Sequence, residues 1–255
     1  MSSSPQYAFG SGVLFGRSTE ASNATPTPVR FGALQDCAID ISFTSKQLYG
    51  QYQFPLAIGR GTAKITGKAK FAQFNAQAFN DLFFSESGVT AGEVITAVAE
   101  SQVVGSVVAN QVTVTNNGTF AQDLGVSNST TGNPLQRVAS APVGAGNYSC
   151  NETTGVYTFN STSNAATVLI SYNYTDTGNG SNIVITNQLL GSAPQFLVVL
   201  TETFQTNKLT LQLNACMSSK LTLNSKLEDF WVQEFDFEAF ADAANNVGKL
   251  SVENL

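Results

Sequence analysis

The chain has 255 residues, 42% of them hydrophobic and only 12% charged, with a formal net charge of −6. Soluble domains typically carry about 25% charged residues, so a surface this poor in charge points to coverage by copies of the chain or by partners. The negative balance argues against a protein that grips nucleic-acid phosphates, and the lack of any histidine removes Ser-His-Asp and Cys-His catalysis and most zinc sites.

The length admits one large all-β domain or a domain carrying an insertion. Charge is unevenly spread: residues 105–200 hold only Arg137 against Asp123, Glu152 and Asp176, and acid collects towards the C-terminus. Cys37, Cys150 and Cys216 show neither close pairing nor metal-ligand spacing. The first residues lack a signal-peptide pattern and no apolar run is long enough to span a membrane, so the expected site of synthesis and assembly is a cytoplasm.

Residues 1–30, rich in Ser, Thr, Ala, Gly and Pro, read as an N-terminal arm without sustained period. From Asp36 to Thr44, Cys37, Ile39, Ile41 and Phe43 alternate with polar residues, as a half-buried strand requires. Thr62 to Phe71 repeats the pattern, with Ala63, Ile65, Ala69 and Phe71 inward and Lys64, Lys68 and Lys70 outward. The two strands are expected to form an antiparallel hairpin joined by a long loop, Ser45 to Gly61. That loop carries Leu48, Tyr49, Tyr52, Phe54 and Leu56, and a protruding loop bearing aromatics is a docking element. Asn75 is placed to cap a short helix, with Phe74 and Phe79 as a hydrophobic staple.

Residues 105–181 shift to Asn, Ser, Thr and Gly, with strand-like runs near Val112, Val156 and Thr167, and read as an inserted β module. Their share of the chain's eight Asn-x-Ser/Thr triplets is taken as a consequence of composition rather than as glycosylation. Strands are expected at Phe196–Phe204, Leu209–Met217 and Leu221–Leu223. The echo of Lys208-Leu-Thr-Leu in Lys220-Leu-Thr-Leu suggests two arms of a hairpin. Phe230 to Glu238 alternates again, Glu234, Asp236 and Glu238 sharing one face, before a short helix over Ala239–Asn245. The core domain would therefore combine residues 31–104 and 182–255.

Candidate chemistry is sparse. Gly10-x-Gly12 and Gly59-x-Gly61 lack the context of a phosphate loop. Carboxylates two apart on a strand could join a calcium site or a glycosidase pair, but a solvated or channel-facing strand surface accounts for them more simply.

The runs Phe43 to Pro55 (FTSKQLYGQYQFP), Gly61 to Phe71 (GTAKITGKAKF), Asn214 to Leu221 (NACMSSKL), Leu227 to Phe230 (LEDF) and Phe235 to Asp242 (FDFEAFAD) resemble the tail tube, or major tail, proteins of tailed bacteriophages. The resemblance covers the core on both sides of the insertion. It implies an all-β subunit with one or two short helices, a β-sandwich or split barrel whose strands join those of its neighbours in a hexameric ring. Rings stack into a hollow tube through which the genome passes. It implies that Gln47, Leu48, Tyr49, Tyr52 and Phe54 reach the adjacent ring and that the 105–181 insertion lies on the outer surface of the tube. Such a bore is usually acidic, which makes Asp36, Asp40, Glu234, Asp236 and Glu238 channel-facing candidates, while Lys64 and Lys68 on the same hairpin depart from the pattern. Implied partners are other copies of the chain, tape-measure, terminator or adaptor and baseplate or tip proteins, and a sheath if the tail contracts. DNA would be met only in transit, without sequence-specific binding, and no membrane insertion, cofactor, metal or catalytic residue is implied. The location implied is the virion tail, assembled in the host cytoplasm. The competing class is a secreted or surface β-sandwich adhesin or glycan-binding module; an enzyme fits worst.

Overall fold

The computed structural model describes residues 9–20, 25–73, 75–84, 89–106, 108–140, 142–205 and 207–252. Its architecture is all-β with short helical segments, in two compact units. One is built from the chain up to Val89 and from Ile183 onward, the other from Thr90–Asn182.

The first unit opens with strands β1 (Val13–Ser18) and β2 (Val29–Phe31), paired antiparallel with Leu14 opposite Phe31. β1 and the first two residues of β2 fall within the stretch expected to be an arm, and the correction has a simple cause. The inward row of β1 is Leu14, Gly16 and Ser18, all buried, so its alternation is nearly silent in hydropathy. A Cβ at Gly16 would stand 3.0 Å from Leu82 and 3.1 Å from Phe31, and the core therefore favours the smallest residue there. β3 (Leu34–Tyr49) and β4 (Pro55–Phe71) follow as one long antiparallel hairpin. Asn75 is extended (φ −144°, ψ 111°) and its Oδ1 accepts from Ala78 N at 3.1 Å, the geometry of an N-cap. It starts α1 (Ala76–Phe79), which widens into a π turn over Asn80–Phe84. Phe79, Leu82 and Phe83 pack on the core; the Phe74 half of the expected staple lies outside the described residues.

The second unit begins at Thr90 rather than at residue 105. β5 (Thr90–Val103) pairs along its length with β11 (Thr167–Asn182), and Asn182 faces Thr90 in register. Composition misplaced this boundary because β5 is valine-rich like the core domain. With β7 (Phe120–Asn128) these strands form the sheet β5-β11-β7, and β6 (Gln111–Thr113), β8 (Gln136–Arg137), β9 (Asn147–Asn151) and β10 (Val156–Phe159) form the sheet β6-β10-β9-β8. Both sheets supply one core, in which Tyr148, Tyr157 and Phe159 meet Val126, Ile170 and Tyr172. Asn128, Asn151 and Asn160 each accept from the N–H two residues on, Thr130 at 2.9 Å, Thr153 at 3.0 Å and Thr162 at 3.0 Å. Three of the Asn-x-Thr triplets are thus Asx turns, a local reason for that composition.

The chain returns to the first unit as β12 (Gln195–Phe204), β13 (Asn207–Leu223), β14 (Gln233–Phe240) and β15 (Gly248–Val252). The two Lys-Leu-Thr-Leu segments lie on the single strand β13, not on two arms of a hairpin. The expected helix at 239–245 is instead the end of β14 and a turn in which Asp242 Oδ1 accepts from Ala244 N and Asn246 N, both at 2.9 Å. Strand order is β2-β1-β12-β13-β14-β4-β3, with β15 also on β13. β2 and β3 stand at opposite ends of this order, yet only Gly32 and Ala33 separate them in sequence. The sheet must therefore curl until its first and last strands approach, making a split barrel. Inside it Phe31 stacks on Phe235 at 4.9 Å, and Phe71 and Phe83 meet the same ring edge-on at 5.8 and 5.6 Å.

Candidate assembly surface

The β3–β4 hairpin outruns its sheet. β14 pairs with β4 from Gln233 opposite Phe71 to Ala239 opposite Ile65 and no further, whereas β3 and β4 continue together to Tyr49 opposite Pro55. Residues 42–64 therefore form a two-stranded ribbon about 25 Å long at roughly 3.3 Å per residue, with only 50–54 as its turn. The expected loop Ser45 to Gly61 is thus mostly strand. Ile41, Phe43 and Ala63, expected to face the core, are exposed, because the barrel wall that covers their row ends at Ile65.

The ribbon gathers most of its apolar side chains on one face. Phe43, Tyr49 and Ile58 share one side with Arg60, whose guanidinium lies 4.5 Å from the Phe43 ring centroid, and the Tyr49 hydroxyl donates to Gln47 Oε1. Leu48 faces Ala57 on the other side, and Tyr52 and Phe54 in the turn are 73% and 81% exposed. An isolated hairpin is marginally stable in water, and a long, exposed apolar edge is a template for pairing. The five contact residues expected from the resemblance all fall on this ribbon. Reasoning from sequence missed Ile58 and Arg60, although Leu56-Ala-Ile58 already carried half of an alternation.

The charged candidates converge on the barrel's outer face. Asp36 faces Lys70 and Asp40 faces Thr66 across β3 and β4; Glu234 faces Lys70, Asp236 faces Lys68 and Glu238 faces Thr66 across β14 and β4; Lys220 faces Asp236 from β13. Lys64 Nζ lies 3.0 Å from Glu238, Lys68 binds Glu234, and Lys70 lies 3.7 Å from Glu234. The hydrogen bond from Lys68 holds the Glu234 carboxyl below its usual range and raises the Lys68 ammonium above its own. All seven residues expected to face the channel thus share one face, and both lysines that departed from an acidic pattern are paired with carboxylates. The strand β14 begins at Gln233, so Phe230 and Trp231, at the start of the expected alternation, lie in the preceding connection and are exposed.

The few charges of the second unit are structural. Asp123, its side chain 2% exposed, accepts from the hydroxyls of Tyr157 and Tyr148, each at 2.9 Å, and faces Arg137 at 3.5 Å, which also binds Glu152 at 2.9 Å. Burial, reinforced by Asp123, pushes both phenols well above their ordinary range. Burial likewise raises the thiols of Cys37 and Cys150 to about 11 and that of Cys216 to about 12, leaving little thiolate at neutral pH. Among the described residues no group of three or more Cys, Asp or Glu is arranged to hold a metal ion. Neither a protein-family model nor a curated protein matches this chain.

Proposed function

We propose that this protein is a structural subunit that polymerises with itself, as a tail tube protein of a tailed bacteriophage does: copies close into hexameric rings, and rings stack into a conduit for the genome. The exposed β3–β4 ribbon carries this reading. It presents unpaired backbone along both edges and a row of exposed apolar side chains, and a lone copy gains nothing from holding such a structure in water. The shortage of charge over the whole chain supports the same conclusion.

The outer face of β3, β4, β14 and β13 supports a role as channel wall. Its lysines interleave with Asp36, Asp40, Glu234, Asp236 and Glu238, so a passing phosphate meets no uncompensated cluster of cations. Terminator, tape-measure and baseplate proteins would meet the ends of such an assembly.

Negative-stain electron microscopy of the purified protein over a range of concentrations tests the proposal. Rings or rods with a central channel are expected. A monodisperse single-copy species at high concentration, with neither rings nor rods, would overturn it.

A further inference from the structure

The partner surface for the ribbon is written in charge. Residues 42–64 contain Lys46, Arg60 and Lys64 and no acid; Lys64 is committed to Glu238. Arg60 sits on the Phe43 face and Lys46 on the Leu48 face, so the ribbon is positive from either side. Among the described residues, three other stretches of this unit expose clustered large apolar side chains. The stretch 184–190 has no charge, and the exposed Leu250 and Val252 share β15 with Lys249, of the same sign as the ribbon. Among the described residues only the β13–β14 connection, 224–232, has an excess of acid: Leu227 and Phe230, 98% and 87% exposed, flank Glu228 and Asp229, and because Lys226 lies 3.4 Å from Asp229, Glu228 carries the unmatched charge.

The two surfaces stand at opposite ends of one strand pair. The connection enters β14 at Gln233, opposite Phe71, while the ribbon leaves the sheet beyond Ile65, opposite Ala239. That separates them by roughly 20 Å of strand. Within one protomer the ribbon tip and the connection leave each other exposed. A contact between them is therefore head-to-tail, and such a contact propagates rather than closing on two copies when its rotation does not form a ring.

We infer that the β3–β4 ribbon of one copy docks on the 224–232 connection of the next, Tyr52 and Phe54 covering Leu227 and Phe230, and Lys46 and Arg60 meeting Glu228 and Asp229. The inference rests on the self-assembly reading and names its receptor. Charge reversal tests it. Ribbon variant K46E/R60E and connection variant E228K/D229K should each raise the concentration needed for rods by at least about tenfold, since like charges then face one another. The fourfold variant should recover assembly. Mixing the two double variants should also restore rods, in which the two alternate, because each ribbon then meets a connection of opposite charge; this also shows that both variants fold. If the unchanged protein forms rods and both double variants do so equally well, or the fourfold variant fails while the mixture also fails, the docking is wrong and the self-assembly reading stands. If the unchanged protein forms no assembly at all, both fall.

Discussion

Phe237 occupies the space above Gly67. The two are register partners across β14 and β4, and the ring Cζ lies 2.0 Å from where a Cβ at position 67 would stand. The glycine that interrupts the inward row Ile65, Ala69, Phe71 is therefore the seat of an aromatic ring in the barrel core. Gly67→Val should destabilise the protein by about 1–3 kcal/mol, the usual cost of overpacking. Urea denaturation reads this directly, and Phe237→Leu in the same chain should return part of the loss because the two sites share one volume. An unchanged midpoint for the single variant would show that the ring is free to leave.

The ribbon should separate folding from assembly. Tyr52→Ala and Phe54→Ala remove exposed side chains, so the thermal stability of the dispersed chain should stay within about 0.5 kcal/mol. Each should weaken assembly by about 1 kcal/mol or more if these rings anchor a contact. Sedimentation and rod length in micrographs measure the second effect, and full-length rods from both variants would remove these residues from the interface.

Acid should find Glu100. Burial raises its carboxyl, but hydrogen bonds from Tyr172 at 2.6 Å, Gln102 at 2.5 Å and Thr115 at 3.0 and 2.9 Å outweigh that and hold it below its ordinary value of 4.5. A depressed folded value means the contribution is complete above the ordinary carboxylate range and is lost as pH falls through the lower folded value. Melting curves from neutral pH down to pH about 2 should show Glu100→Gln less stable than the unchanged chain above 4.5 and level with it at the acid end. A gap that stays constant with pH would mean the carboxylate charge plays no part.

Removing the second unit is geometrically simple. Thr90 and Asn182 are register partners, with Thr90 Oγ1 donating to Asn182 O at 3.3 Å, so the cut ends lie about one strand spacing apart, roughly 5 Å. A chain lacking 90–182, closed by Asn-Gly, should fold and still form rods in micrographs. Loss of rods with the fold intact, by circular dichroism, would show that the second unit takes part in assembly.

The sequence was most legible where one face of a strand meets the core and the other meets water. Alternation placed β3, β4 and β14, and it put Glu234, Asp236 and Glu238 on a common face by local spacing alone. The cap at Asn75 was equally local. Alternation failed at β1, whose inward row contains Gly16 and Ser18, and at β5, where valines on both faces erased the contrast between the two units.

What the sequence determined by itself is the chemistry: a β-rich chain short of charge, without histidine, whose apolar residues recur every second position. Tertiary structure alone decided where the barrel wall ends. Ile39, Ile41 and Phe43 belong to one uninterrupted period, yet β14 stops at the level of Ile65, and only that distant pairing separates a core residue from an exposed one. Period two reports which side of a strand a residue occupies; whether anything covers that side depends on strands recruited from elsewhere in the chain, and local spacing carries no record of them.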